Sequence, residues 1–387
     1  MPTTPAKNLL YRAALPILAP RSRGQMTHHI SGHPLTTLSN YERILAKHHV
    51  FGASLLLQDG ANCALCNTST ANPEHLAQEN TLYRVASITK MATALVTLRC
   101  IDNGLFSLDS EAASLLPDGE KTPALSGVTV RHLLCHTSGL RDLPMLDSCL
   151  KEGKPYTELL RQPEIRACAP GQQLIYSNFG FGLLGCILEQ QTGLCIEPLF
   201  QEMLFRPLHM RATLDASTLN EAEIIPITRV LPYRAGQELR VTALGRHPLQ
   251  KTNPLCHYGH TAGAMYTDGR SVLQMLTLMH QRGTMDGTRL IGESLMQEMT
   301  RRQSATPTRT YGLGLVILNR PEISPRQLLG HQGFAYGCVD GAFIEEETGR
   351  AVVFLNGGAS EARTGRLGLV NRDVLQWALK QEMPSWT

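Results

Sequence analysis

Leu82-Tyr83-Arg84-Val85-Ala86-Ser87-Ile88-Thr89-Lys90 leads into a stretch that reads as helix from Thr89 to Asn103. Ala92, Leu95, Val96 and Leu98 supply its apolar positions, and Gly104 stands at the natural stop. Ser87-Ile88-Thr89-Lys90 is therefore a Ser-x-x-Lys at a helix head. Residues three apart share a helix face, so the hydroxyl and the amine can meet. A serine hydroxyl is a weak nucleophile until a neighbouring base takes its proton. Lysine is such a base once burial or a nearby cation lowers its pKa. The helix N-terminus adds free N–H groups and a positive dipole end, suited to a developing oxyanion. The plain alternative is that Ser87 or Thr89 caps a helix that happens to contain a lysine, since the spacing alone is common.

Two further clusters bear on that choice. Tyr176-Ser177-Asn178 follows the turn signal Ala169-Pro170-Gly171 and precedes a helical segment, Phe179 to Gln191. A tyrosine at such a junction can point its phenol into a cleft and shuttle protons, and Asn178, two residues on, can hold Lys90 or a substrate carbonyl. Otherwise Asn178 caps the helix and Tyr176 is packing. Gly330-His331-Gln332-Gly333 reads as the entry to a strand at a sheet edge beside the cleft. Gly333 lets backbone approach a substrate closely, and edge N–H groups can bind an extended ligand or complete an oxyanion hole. A histidine beside glycine is otherwise a satisfied surface or core residue.

Outward from these clusters, the chain reads as sheet, then helices, then sheet. Ser39-Asn40-Tyr41-Glu42 has capping-box spacing and predicts a helix to about His49. Ala53 to Gln58 and Asn62 to Cys66 read as a hairpin about the Asp59-Gly60 turn. After a long helical stretch to about residue 260, Val272 to His280 reads as helix. Leu313 to Leu318, Cys338 to Glu345 and Ala351 to Leu355 then read as strands, and Asn371 to Lys380 as a closing helix. The fold class expected is α/β (α+β): an antiparallel sheet flanked by helices with a helical domain inserted. The expected divisions are a tail over 1–37, an α/β domain over 38–88 plus 262–387, and an insertion over 89–261. Clefts between such lobes are common ligand sites.

The composition fits a globular chain: 387 residues, 42% hydrophobic and 18% charged. A net charge of +3 gives no reason to invoke nucleic acid or an anionic membrane. No apolar run reaches the length of a bilayer span. Lys7 followed by Leu9 to Leu15 faintly suggests a secretory signal, but Arg12 and Pro16 interrupt it, and Met26 offers an alternative start. Ten cysteines scatter along the chain, with Cys100, Cys186 and Cys195 in helical sequence, which suits reduced thiols and a cytoplasmic setting. Cys63-Ala64-Leu65-Cys66 is a CxxC that, with His257 and His260, has the residue types of a zinc site. The strand context of that CxxC argues against the reading.

In order, Ser87-x-x-Lys90, Tyr176-x-Asn178 and His331-x-Gly333 resemble the three motifs of the serine β-lactamase and penicillin-binding protein superfamily. The likeness is to class C β-lactamases, D-alanyl-D-alanine carboxypeptidases, D-aminopeptidases and related esterases. Leu82 to Ser87, His132-Leu133-Leu134-Cys135-His136-Thr137-Ser138-Gly139-Leu140, Phe205 to Met210 and the Tyr311-Gly312-Leu313-Gly314 strand also look like family segments. The resemblance runs from about residue 38 to about residue 380, and it makes His132 and His136 structural rather than zinc ligands. It implies Ser87 as acylated nucleophile, Lys90 as proton acceptor, Tyr176 as general base and acid, and Asn178 as support. It also implies an oxyanion hole from the backbone N–H groups of Ser87 and Phe334, with no metal and no cofactor. His331-Gln332-Gly333 departs from the Lys-Thr-Gly or Lys-Ser-Gly of many β-lactamases, replacing a permanent cation by one only partly charged near neutral pH. That favours a peptidase or esterase acting on a small amide, ester, lactam or short peptide. Tyr176-Ser177-Asn178 likewise departs from the Ser-Asp-Asn of class A enzymes. Arg141, in Arg141-Asp142-Leu143-Pro144, is a candidate substrate contact or a solvated loop residue. The rival functions are an acyltransferase working through the same Ser87 and, further off, a β-lactam sensor, which usually belongs to a membrane receptor.

Overall fold

The structure, a computed structural model, describes residues 4–19, 26–36, 38–69, 77–119, 122–231, 234–235, 249–307 and 309–383. Its frame is a nine-stranded antiparallel sheet. From one edge to the other the strands are Thr27–Gly32, Asn62–Ser69, Ala53–Asp59, Ala351–Asn356, Cys338–Glu345, Leu328–Ala335, Val316–Leu318, Arg309–Tyr311 and Ser304–Thr306. Side-chain alternation divides the strands between two cores. Leu55, Leu57, Val352 and Phe354 pack with Tyr41, Leu45, Val374 and Trp377. Leu56, Val353 and Leu355 pack with Met91, Leu95, Val272 and Leu276. Burial on both faces is why Ala351–Asn356 is an almost continuous apolar run, while Cys338–Glu345 is buried throughout although it carries Asp340 and Glu345.

The helices Leu38–Lys47 and Leu369–Ala378 close one face, with the Tyr41 and Trp377 rings stacked at 5.0 Å. The other face carries Gly269–His280 and the buried helix Thr89–Asp102. All nine strands come from residues 27–69 and 304–356, and the chain between them is mainly helical. A small sheet there sets Tyr266–Thr267 between Tyr83–Arg84 and Ala212–Thr213. Among the described residues no single helix is long and apolar enough to cross a membrane.

Several expectations are corrected. Helix Leu38–Lys47 already includes Ser39 in its first turn, so the capping box does not form there. Tyr311-Gly312-Leu313-Gly314 is not one strand. Tyr311 ends Arg309–Tyr311, and the chain then turns, the Gly312 N–H donating to the Leu315 carbonyl at 3.1 Å, before Val316–Leu318. The segment read as a tail contributes helix Pro5–Leu18 and the edge strand Thr27–Gly32, paired along its length with residues 64–69. That tail and the insertion over 89–261 lie partly outside the described residues. Finally, Leu328–Ala335 is not the sheet's edge, for three strands lie beyond it. Its pairing with Val316–Leu318 nevertheless stops at Gly330, which leaves 331–335 as a local edge on that side.

Candidate active site

Ser87 sits in the single turn Ala86–Ile88 that runs directly into helix Thr89–Asp102. The residue before it, Ala86, has φ 45°, a left-handed conformation that costs a non-glycine residue energy and clusters at functional sites. The neighbourhood over-determines that turn. Ile88 N–H donates to the Val85 carbonyl at 3.1 Å, Thr89 Oγ1 donates to the Ala86 carbonyl at 2.6 Å, and Met265 N–H donates to Thr89 Oγ1 at 3.1 Å. No side chain caps this helix, so neither Ser87 nor Thr89 plays the capping part that the bland reading gave them.

Lys90 is fully buried one turn on. Its Nζ lies 3.2 Å from Ser87 Oγ and donates to Asn178 Oδ1 at 2.8 Å and to the Ala262 carbonyl at 2.6 Å. Burial drives its pKa down to about 7, against an opposing pull from the Asp142 carboxylate. A neutral amine has two N–H groups. The two carbonyl acceptors consume both, which leaves the lone pair for the Ser87 proton. Gly182, on helix Asn178–Thr192, lets the segment before Ala262 approach closely: a Cβ there would lie 1.7 Å from the Tyr258 carbonyl oxygen.

Tyr176 meets the same serine, its O–H donating to Ser87 Oγ at 2.8 Å. The ring is held by His136, whose centroid lies 4.3 Å away and whose Nδ1 accepts from the Ser177 N–H at 3.2 Å. The helix cap is Ser177, accepting from Gly180 N–H, which leaves Asn178 free for Lys90. Asp142 anchors the junction: its carboxylate accepts from Asn178 Nδ2 at 2.8 Å, Phe179 N–H at 2.9 Å and Ser177 Oγ at 3.2 Å. Ser87, Lys90, Tyr176 and Asn178, expected from sequence to act together, are thus brought together.

His136 and Asp142 were missed as members of this group. Asp142 serves a helix head 37 residues away, a pairing that no local pattern reveals. Arg141, its neighbour, is exposed and donates to the Glu164 carbonyl, away from the serine. His136 had a signal in its motif but none for its ring contact.

A cleft of about 390 Å³ opens beside Ser87, lined by Arg84, Asp147, Asn178, Arg229, Phe334 and Tyr336 among others. The His331 side chain is 3% exposed, and its Nδ1 contacts the neighbouring Gln332 carbonyl at 2.7 Å. Gly333 serves an approach of another kind from the one expected. A Cβ there would lie 2.3 Å from the Val85 carbonyl oxygen, so its missing side chain lets the strand press against the nucleophile's own segment. Phe334 follows in the local edge, under the Arg363 guanidinium at 4.0 Å.

The remaining ligand-type clusters are accounted for by packing. Cys63 and Cys66 face opposite cores, three residues apart on one strand, and do not converge with His257. His257 instead groups with Glu189 and Cys195, their ligating atoms within 4.8 Å of one another. The Glu189 carboxylate there accepts from Ile196 N–H and Asn253 N–H at 2.8 Å and contacts His257 Nδ1 at 2.7 Å, while burial pushes the Cys195 thiol up to about 12. His132 closes a reciprocal cap with Thr129.

Comparison with known proteins bears on the family and the fold. The chain is 32% identical over 157 residues to monacolin J acid methylbutanoyltransferase of Aspergillus terreus, a match covering 34% of this chain and 37% of that one. It is 28% identical over 174 residues to the D-alanyl-D-alanine-carboxypeptidase/endopeptidase AmpH of Escherichia coli, covering 42% and 44%. In both cases the match spans less than half of the relative's length. Among solved structures, the D-amino acid amidase from Ochrobactrum anthropi SV3 complexed with L-phenylalanine amide superposes with TM-score 0.70 at 22% identity, over 89% of this chain and 98% of that one. The family model described as Beta-lactamase matches residues 39–373. The chain belongs to the β-lactamase family.

Proposed function

We propose that this protein is a serine hydrolase that cleaves a small amide, peptide, ester or lactam through an acyl-enzyme on Ser87. One observation carries the reading: a buried Lys90 amine, with its pKa near 7, sits 3.2 Å from Ser87 Oγ while the Tyr176 phenol sits 2.8 Å from the same atom. Lys90 takes the proton as Oγ attacks the substrate carbonyl. The backbone N–H groups of Ser87 and Phe334 receive the oxyanion; Phe334 is paired with Val339 on one side and lies beyond the end of the Val316–Leu318 pairing on the other, beside the serine. Collapse breaks the bond to the leaving group, which takes a proton from the Tyr176–Lys90 pair. Water then attacks the acyl ester, the pair accepts its proton, and Ser87 Oγ leaves reprotonated. On this reading the lobe over 38–88 plus 262–387 and the lobe over 89–261 flank the reacting bond.

The similarity to a methylbutanoyltransferase supports a second reading, in which an alcohol or amine replaces water as acceptor. A panel of aryl esters, anilides and lactams, each assayed with and without added alcohol or amine, separates the two. Hydrolysis insensitive to added acceptor supports the first, and product partitioning towards the acceptor supports the second. Ser87→Ala should abolish turnover of every substrate, and wild-type turnover in that variant would overturn both readings.

A further inference from the structure

Arg84, three residues before the nucleophile, lines the Ser87 cleft while being only 7% exposed. Its strand is pinned to Tyr266–Thr267. Its guanidinium lies over the Tyr336 ring at 4.7 Å, and one nitrogen, Nη2, donates to the Gly263 carbonyl at 3.3 Å. Nε and Nη1 are buried without a hydrogen-bond partner, so a ligand reaches them only with a shift of the Tyr336 ring that lies against the guanidinium. A guanidinium is permanently charged, and burying such a group without full pairing is costly. Its planar fork of N–H groups matches a carboxylate.

The charges around the cleft are arranged asymmetrically. Arg229 lines the same cleft, and its Nη2 is 3.4 Å from Glu361, so part of its charge is already answered. Asp147 lines the cleft from helix Leu146–Lys151 and disfavours an anion at that end. An anionic group is therefore best accommodated at Arg84, with Arg229 assisting.

We propose that Arg84, aided by Arg229, binds a carboxylate of the substrate, which makes acidic esters or amides the preferred class. The inference rests on the reading of Ser87 as acylated nucleophile. It places anion recognition on the strand that leads into the nucleophile, whereas the His331 side chain is buried.

The test uses two matched pairs of aryl esters on the full-length protein. In one pair the leaving phenol carries a meta-carboxylate or its methyl ester; in the other a benzoyl acyl group carries a para-carboxylate or its methyl ester, with 4-nitrophenol leaving. The readout is the ratio of kcat/KM for acid over methyl ester within each protein, so a general loss of activity cancels. Wild type should favour the acid in at least one pair by about tenfold or more, as a buried hydrogen bond to a charged group provides. Arg84→Met and Arg84→Gln should reduce that ratio about 10- to 100-fold, and Arg229→Gln less. If the Arg84 variants do not fold, the unaltered protein still decides: benzoate should inhibit competitively where benzamide does not, and Arg229→Gln should weaken benzoate inhibition. A ratio near one for wild type in both pairs, or a ratio unmoved by the Arg84 and Arg229 changes, would overturn the proposal while leaving Ser87 hydrolysis intact. Absence of any hydrolysis, with Ser87 unlabelled by acylating reagents, would instead remove the reading beneath it.

Discussion

Replacing Lys90 by methionine should abolish turnover and also change how stability depends on pH. Lys90 is fully buried, with a pKa lowered from 10.5 to about 7 by desolvation. Between those two values the unfolded chain holds a proton that the folded protein does not, so wild-type stability rises with pH across the window and is lowest below about pH 7. At about 1.4 kcal/mol per unit, the whole window is worth about 5 kcal/mol. Methionine carries no proton and removes that slope. It also leaves Asn178 Oδ1 and the Ala262 carbonyl without their donor, at about 1–3 kcal/mol each, a cost that does not vary with pH here. The variant should therefore lie within about 2 kcal/mol of wild type at about pH 7 and lose about 3 kcal/mol relative to it by about pH 9.5. Urea unfolding of both proteins at matched pH values reads this difference directly, since every other titrating group is common to both. The activity of wild type gives a second reading of the same pKa: kcat/KM should rise about tenfold per pH unit below about 7 and level off above it. Parallel stability curves, or a rate profile flat through pH 7, would refute the buried neutral amine.

Tyr176→Phe keeps the ring against His136 but removes the O–H on Ser87 Oγ, and should lower kcat by about a hundred- to ten-thousand-fold without loss of folding, checked by thermal unfolding. Asp142→Asn removes the carboxylate that holds the Lys90 pKa up, so the acidic limb of the rate profile should move to lower pH; an unmoved limb would exclude that coupling. Gly333→Ala puts a Cβ 2.3 Å from the Val85 carbonyl oxygen, and should cost about 1–3 kcal/mol in urea unfolding together with a fall in kcat, because the strand must back away from the nucleophile's turn.

The parts of the fold that could be read in advance are those set by local chemistry. Thr89–Asp102 announced itself by period and a glycine stop, and the Ala53–Asp59 and Asn62–Ser69 hairpin by Asp59-Gly60. Ala351–Asn356 was legible as an apolar run, and Cys338–Glu345 as the strand before the Thr348-Gly349 turn that joins the two. Thr27–Gly32 was not, because an edge strand carrying His28 and His29 needs no apolar alternation; His28 instead contacts Thr68 and Glu42 at 2.9 and 2.8 Å. The motif spacing pointed to Ser87, Lys90, Tyr176 and Asn178, but their anchor was out of its reach. Asp142 belongs to the site through contacts with residues 177–179, and the local edge at 331–335 exists because pairing with Val316–Leu318 stops at Gly330. Where a strand's neighbour ends is a tertiary fact that alternation within the strand does not encode.

Covalent capture tests the central claim, that Ser87 is the acylated nucleophile, most directly. The purified protein is incubated with a fluorophosphonate and, separately, with benzylpenicillin, and is then followed by intact mass spectrometry and peptide mapping. The fluorophosphonate should add once, on the peptide containing Ser87, at a rate that falls as pH drops below about 7, and Ser87→Ala should remain unlabelled. Penicillin, if it adds, should add at the same residue. Stoichiometric labelling of Ser87→Ala, or a label mapped to another residue in wild type, would contradict the assignment.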